Sequence, residues 1–272
     1  MLDVREIRLT ENELCRKILI INDKLNFIYF EKFDEEQILK AVDYKVDYVV
    51  SSDSHGDIEM LTFPLKFDAK KYIYLGDYYP YVSEYIKYRC KDRSLKHEIM
   101  FLVHSLSQQV DAELEKLKLN PKVILLYGNH DKPEFPISYE LNINDCKITF
   151  QHSLIVKNVP PSEIPTFTLL QPNEDLDIPK SDYIIVGHLK DYSQLGISNL
   201  YTVDCDNSCY IRYQYSVIRK CKYLHYKSTI PKIKELIEKY KAKGSIKLQL
   251  ENEEVVRRHQ AFIDSYEKYF ME

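Results

Sequence analysis

The chain reads as an α/β protein in which a sheet flanked by helices carries its site at the carboxyl ends of the strands. Three observations predict this. Short apolar runs recur between residues 48 and 186, and each ends in a loop of Gly, Asp, Asn, His or Ser. An amphipathic helical pattern separates the second run from the third, and two more helical patterns end the chain. Only six glycines occur in 272 residues, and four of them (Gly56, Gly76, Gly128 and Gly187) stand beside a His, Asp or Asn in those loops. Glycine used so sparingly marks places where backbone must turn tightly or come close to something.

The elements follow in order. Tyr48-Val49-Val50 precedes SSDSHGD, Tyr72 to Leu75 precedes GDYY, and Val123 to Tyr127 precedes GNHD. Ile148 to Phe150 precedes QHS, and Tyr183 to Val186 precedes GHLK. Each run has the length and apolar content of a buried strand, and strands that finish in such loops are the pattern of an α/β sheet with its site at the carboxyl ends. Leu95, Ile99, Leu102, Leu106, Val110, Leu114 and Leu117 recur at steps of three and four, the stripe of a helix lying on the sheet. His97 and His104 read as part of a solvated face of that helix. Residues 156–180, with five prolines, read as a long loop beside the site. Alternation over 200–206 and 209–226 predicts closing strands, and the patterns Ile233-Leu236-Ile237-Tyr240 and Val255-Phe262-Tyr266-Phe270 predict terminal helices. This divides the chain into an N-terminal extension packed on the core (1–40), a central domain (41–226) and a C-terminal helical extension (227–272).

A hydrophobic content of 44% and a charged content of 29% are ordinary for a globular protein and exclude disordered and fibrous classes. No apolar run approaches the roughly 20 residues of a membrane helix, and MLDVREIRLTENE lacks the apolar core of a signal peptide. The expectation is a soluble cytoplasmic protein without a membrane partner, whose six scattered cysteines are reduced thiols. Charge is uneven. Residues 212–247 carry eleven Lys or Arg against two Glu, which leaves the rest of the chain near −13 for a total of −4. The bland reading is a solvated helical face; interleaved tyrosines make the segment a candidate surface for RNA or an acidic partner.

The chemistry lies in the loops. Asp53 and His55 are two apart at a strand end, so their side chains point to one face and can share an ion. Gly76-Asp77 adds a carboxylate able to bridge two ions. Gly128-Asn129-His130-Asp131 adds a neutral oxygen ligand and a titratable imidazole, and His152 and His188 add two more nitrogens. Any one cluster alone reads as a turn glycine with a capping Asp, or as a core His. Five of them directly after strands point to a metal site.

In the motifs DSHGD, LGDYY, YGNHD, QHS and VGHLK, over residues 48–190, the chain resembles the calcineurin-like metallophosphoesterase superfamily, in particular the phosphoprotein (serine/threonine) phosphatase branch and its bacterial and phage relatives. The resemblance extends loosely through YTVDCDNSCY. It implies a β-sandwich flanked by helices with a dinuclear site at the strand carboxyl ends. Asp53, His55 and Asp77 would hold one ion; Asp77, Asn129, His152 and His188 would hold the other. The ions would be divalent or trivalent, of the Mn, Fe or Zn type that mixed imidazole and carboxylate donors suit. The implied activity is hydrolysis of a phosphomonoester, on a phosphoprotein or a nucleotide, by attack of a metal-bridging hydroxide, with His130 as general acid. A dinucleoside polyphosphate hydrolase or phosphodiesterase is the alternative enzyme, and a scaffold without chemistry the alternative outside enzymes. Two departures matter. Pro80 and Tyr81 stand where the phosphatase branch carries an Asp and a phosphate-gripping Arg, which makes Lys190, Arg89 and Arg93 the candidates for that grip. Lys190 also replaces the second histidine of the phosphodiesterase branches, which favours the phosphatase side.

Overall fold

A computed structural model describes residues 18–30, 46–80, 90, 92–156, 176–187, 197–203 and 207–270. Among these the protein is mixed α/β, with two mixed sheets, a two-stranded ribbon and four α-helices. It divides into two compact units. One comprises Leu14–Tyr81 and Val103–Arg212, the other Met1–Glu13, Val82–Leu102 and Tyr213–Glu272.

The first unit holds both sheets. β1 (Ile18–Ile21) and β2 (Phe27–Phe30) form a hairpin at the edge of a five-stranded sheet ordered β2-β1-β3-β4-β5. Asn22 closes the hairpin turn, its side-chain oxygen accepting from the amides of Lys24 and Asn26 at 3.0 Å each. β3 (Tyr48–Ser51), β4 (Lys71–Tyr74) and β5 (Val123–Leu125) run parallel, in register Ser51, Tyr74, Leu125. Their near-continuous apolar character fits strands covered on both faces. The second sheet is ordered β11-β10-β7-β6, with β6 (Ser138–Ile143), β7 (Cys146–Gln151), β10 (Tyr183–Val186) and β11 (Leu200–Thr202). β6 and β7 are joined by Asn144 and Asp145, both at positive φ (48° and 66°), the residue types a two-residue hairpin turn demands. β8 (Ile155–Val156) pairs antiparallel with β9 (Leu176–Asp177), which brackets the proline-rich stretch; residues 157–175 lie outside the described residues.

Side-chain alternation divides the core. Leu19, Ile21, Val50 and Ile73 of the first sheet pack in one cluster with Ile148, Phe150 and Ile185 of the second. Their sequence neighbours Ile18, Ile20, Val49, Tyr72 and Tyr74 face the other way and pack with Val110, Leu114 and Leu117 of α2 (Arg93–Lys118). The whole expected stripe from Leu95 to Leu117 is buried, at roughly 1.5–3 kcal/mol per large apolar side chain, while His97 and His104 are exposed. A short helix, α1 (Ile58–Thr62), is capped by Asp57, whose side chain accepts from the amides of Glu59 and Met60.

The second unit corrects one expectation. The alternation over 209–226 belongs to a helix, α3 (Asn207–Ala242), which runs unbroken through residue 226, and of the expected run 200–206 the described residues form a strand at Leu200–Thr202. Cys221, Tyr223 and His225 are buried in strand-like alternation. Ile218, Cys221 and His225 share one helical face, however, and Tyr223 and Ile230 another, so the helix is covered on two sides. The terminal helical patterns are present: α3 ends near Gly244, whose φ of 67° makes the turn, and α4 (Ile246–Phe270) returns. Tyr223, Ile230, Ile263 and Tyr266 form their shared core, with the Tyr223 and Tyr266 rings stacked at 4.7 Å.

No helix among the described residues is long and apolar enough to cross a membrane. Cys90, Cys146 and Cys221 are free thiols, and burial pushes that of Cys221 up to about 12.

Candidate metal centre

The parallel strands deliver the candidate ligands together. Level strand ends at Ser51, Tyr74 and Leu125 are followed by Asp53, Asp77 and Asn129, and β7 ends directly before His152. The ladder between β3 and β4 continues into their loops. The amides of Asp53, His55 and Gly56 donate to the carbonyls of Gly76, Asp77 and Tyr78 at 3.0, 2.9 and 2.7 Å. This zipper forces Asp53, His55 and Asp77 into the left-handed region, at φ of 55°, 43° and 57°. Left-handed backbone at non-glycine residues costs on the order of 1–3 kcal/mol each and gathers at functional sites.

Two glycines let the loops meet. A Cβ on Gly76 (φ 110°) would collide with the backbone of Gly128, and one on Gly128 with the amide and carboxylate of Asp77. Asp131 locks the junction. Its Oδ2 accepts from the amides of Asp77 (2.7 Å) and Gly128 (2.9 Å), and its Oδ1 from the amide of Tyr78 (2.7 Å).

Oxygen and nitrogen donors converge on Asp77, which is 1% exposed. One ligand atom each from Asp53, Asp77 and His152 lies within 4.8 Å of the others, a group that could hold a metal ion. Asp77 Oδ2 is 3.3 Å from His152 Nε2, 3.7 Å from His55 Nε2 and 4.0 Å from His130 Nε2. His55 Nε2 is also 3.6 Å from Asp53 Oδ1, and His152 Nε2 is 3.0 Å from Asn129 Oδ1. Asp77 thus stands between an Asp53/His55 side and an Asn129/His152 side. Its Oδ1 accepts from the backbone amide of His130 at 3.0 Å, and Asn129 Nδ2 lies 3.2 Å from His130 Nε2.

The electrostatics are those of buried anions short of positive charge. Burial alone would raise both carboxyls. Instead His152, with His55 and His130, holds Asp77 well below the usual range, and the hydrogen bond from His55 lowers Asp53. Burial works against a charged His152, but Asp77 and Asp53 raise it to about 9. Burial depresses His130, with Asp77 pulling the other way. Burial and the Asp77 charge push Asp131 to about 7.

Of the residues expected from the sequence, Asp53, His55, Asp77, Asn129, His130 and His152 are brought together. His188, Lys190, Arg89 and Tyr81 lie outside the described residues. Gly187, directly before His188, is seated so close to Ser52 and Asp53 Oδ2 that no side chain fits there. Arg93 is exposed at the start of α2 and belongs to the other unit.

Three features went unread in the sequence. Ser52 Oγ donates to Asp53 Oδ2. Asp131 acts as the loop clasp. Beside it, Asp111 Oδ1 receives both Tyr79 Oη and Lys132 Nζ at 2.6 Å. Serine beside a ligand Asp was a local signal; the other two depend on tertiary approach.

Comparison with family models, curated proteins and solved structures gives no match.

Proposed function

We propose that this chain is a metal-dependent phosphoesterase that hydrolyses a phosphomonoester in the manner of the serine/threonine phosphatases, on a metallophosphoesterase-type β-sandwich. One observation carries the reading: side chains from three other strand ends converge on a single buried carboxylate, Asp77. The packing of both sheets into one core supports the sandwich.

The donor set fits two ions of the Mn, Fe or Zn type: two buried carboxylates, imidazoles and an amide oxygen, with too little positive charge of their own. Asp53, His55 and Asp77 would hold one; Asp77, Asn129, His152 and His188 the other. When bound, such ions supply Lewis acidity toward phosphoryl oxygens and toward water.

The chain's own groups do the rest. The Asp131 clasp and the paired loops fix Asp77 before substrate arrives, so no reorganisation is needed during reaction. Ser52 orients the Asp53 carboxylate. His130, part of the same turn as Asn129, carries the proton for the departing oxygen at Nε2. In the free protein burial favours its neutral ring, and the charge of a phosphate dianion is what brings the proton on.

The test is an activity panel on manganese-loaded protein: an aryl phosphate, a bis-aryl phosphodiester, a phosphopeptide, a dinucleoside tetraphosphate and a 5′-triphosphorylated RNA. Turnover of the aryl phosphate and phosphopeptide, abolished by chelation, is expected. Turnover confined to the tetraphosphate or the diester moves the assignment to the alternative hydrolases, and inactivity on all five rejects it.

A further inference from the structure

The basic segment has a structural focus that the phosphoesterase reading leaves unused. Within the helical unit, α3, α4 and the residues around the start of α2 line an open cavity of about 790 Å3. That is within the range of roughly 300–1,000 Å3 common for small-molecule sites. Two kinds of side chain line it, for two different reasons of spacing. Lys222 and Tyr226 are four apart on α3, and His259 and Phe262 are three apart on α4, so each pair shares a helix face. Lys232 and Arg258 add two further cations at the rim.

The aromatic part is ordered. The His259 ring stacks on Tyr226 at 3.8 Å and 10°, and Phe262 meets Tyr226 edge-on at 5.5 Å and 86°. The cationic part is free to act. Among the described residues neither Lys222 nor Lys232 has an ion pair. Lys222 Nζ lies 5.5 Å from the Phe262 ring, and Arg258, 67% exposed, has among the described residues only Glu254 as an ion partner, at 3.5 Å. One carboxylate also lines the cavity, and it is already engaged. Asp92 Oδ1 caps α2 by accepting from the amides of Ser94 (2.9 Å) and Leu95 (3.1 Å), while its Oδ2 faces His225 Nε2 at 3.6 Å. His225 is itself buried, with its Nδ1 3.0 Å from Glu98 Oε2.

A cluster of cations recognises phosphate, and an aromatic wall recognises a flat heterocycle by stacking. We infer that this cavity binds a nucleoside phosphate, either as a free nucleotide or as the 5′-phosphorylated end of an RNA. Lys222, Lys232 and Arg258 take the phosphate, and the Tyr226, His259 and Phe262 wall takes the base. The diffuse surplus of charge along residues 212–247 thereby has a defined point of action.

The full-length protein is titrated with a fluorescent, hydrolysis-resistant adenosine 5′-thiomonophosphate, with ribose 5-phosphate, unlabelled nucleotide and a 5′-phosphorylated oligoribonucleotide as competitors. Saturable binding is expected, weakened about tenfold or more by Lys232→Glu with Arg258→Glu, the loss of two charge-assisted contacts. It should be nearly unchanged in Lys268→Glu with Lys243→Glu, a charge-matched pair at exposed positions of the same unit, and in Asp77→Asn, which disables the metal centre. Ribose 5-phosphate should compete about tenfold less well, because it lacks the base. Tighter competition by the oligoribonucleotide assigns the RNA end, and equal or tighter competition by the nucleotide assigns the free ligand. No saturable binding, an equal loss in Lys268→Glu with Lys243→Glu, equal competition by ribose 5-phosphate, or loss in Asp77→Asn with retention in the cavity variants overturns the proposal. Because the cavity variants and Asp77→Asn are read separately, failure here leaves the phosphoesterase reading standing, and the reverse holds too.

Discussion

His152 Nε2 stands 3.3 Å from Oδ2 of Asp77, and the two residues come from different sheets. Asp77 follows β4 of the five-stranded sheet, and His152 follows β7 of the four-stranded one. The site therefore sits where the two sheets' carboxyl ends meet, and Asp77 is the one carboxylate approached from both sides. Everything expected of a metal in this chain passes through that residue.

Manganese-supplied protein should bind about two ions per chain, since six ligands with one shared carboxylate exceed the needs of a single ion. Asp77→Asn should bind fewer than one, because the amide removes the shared charge and turns a donor toward His55 or His152. Elemental analysis after gentle purification measures both. A wild-type content that never passes one ion would sink the dinuclear reading.

Metal uptake should depend on pH. In the ion-free protein Asp77 and Asp53 raise His152 to about 9 from an ordinary 6.5, so below pH 9 an entering ion must displace a proton. Apparent affinity should rise through neutral pH and level off near 9, with proton release detectable by calorimetry in buffers of different ionisation heat. The sign for ion-free stability is opposite. A histidine raised on folding stabilises fully below about 6.5, and that contribution is lost as pH rises through about 9. A chelated sample melting at one temperature from pH 6 to 10 contradicts this.

His130→Ala should keep both ions yet lose roughly a hundredfold in turnover on substrates with poor leaving groups. The contact that ties this turn to the centre is the backbone amide of His130 on Asp77 Oδ1, at 3.0 Å, and alanine retains it. Activated aryl esters, which need little help from an acid, should suffer less. Equal losses on both classes would take His130 out of the acid role.

What was legible in the sequence follows from what is local. β3, β4, β5, β7 and β10 could be read because each pairs a buried apolar run with a polar loop within a few residues. β1 and β2 could also have been read from ILII and FIYF around a polar turn, and the β6–β7 hairpin from Asn144-Asp145, but neither ends at the site that drew attention. α3 misled for a physical reason: burial on two faces put Cys221, Tyr223 and His225 into alternation. The Asp131 clasp was illegible. Two of its three partner amides lie more than 50 positions away in the chain and reach it only because Gly76 and Gly128 let the loops touch.

Asp131→Asn should destabilise the protein by about 1–3 kcal/mol. The carboxylate accepts three amide hydrogens with two oxygens, and an amide side chain must present its own N–H to at least one of them. A compensating gain exists, because burial and Asp77 push Asp131 to about 7 and asparagine removes that repulsion. The unmet donor pair outweighs it, since both N–H groups are shut away from water. Denaturant unfolding should show a lower midpoint at unchanged slope. A midpoint at or above wild type would mean that repulsion dominates.

The phosphate grip has candidates in Arg93, Lys132 and Lys190. Lys132, two residues past His130, is well placed in sequence, but its ammonium is committed to Asp111 at 2.6 Å beneath the Tyr79 ring. That pair is about half exposed and contributes at most about 1 kcal/mol, so its role is local order. Lys190 follows Gly187, which is pressed against Ser52 and Asp53. Lys190 itself lies outside the described residues and is a candidate from its place in the sequence. Lys190→Ala should lower kcat/KM by about 10- to 150-fold, the equivalent of roughly 1.5–3 kcal/mol for a charged contact, with metal content unchanged. Lys132→Ala should stay within about threefold of wild type, because a side chain already neutralised has little charge to offer the phosphate. If the two results are exchanged, the Asp111 pair must open on substrate binding, and Asp111→Ala should then lower KM by freeing Lys132.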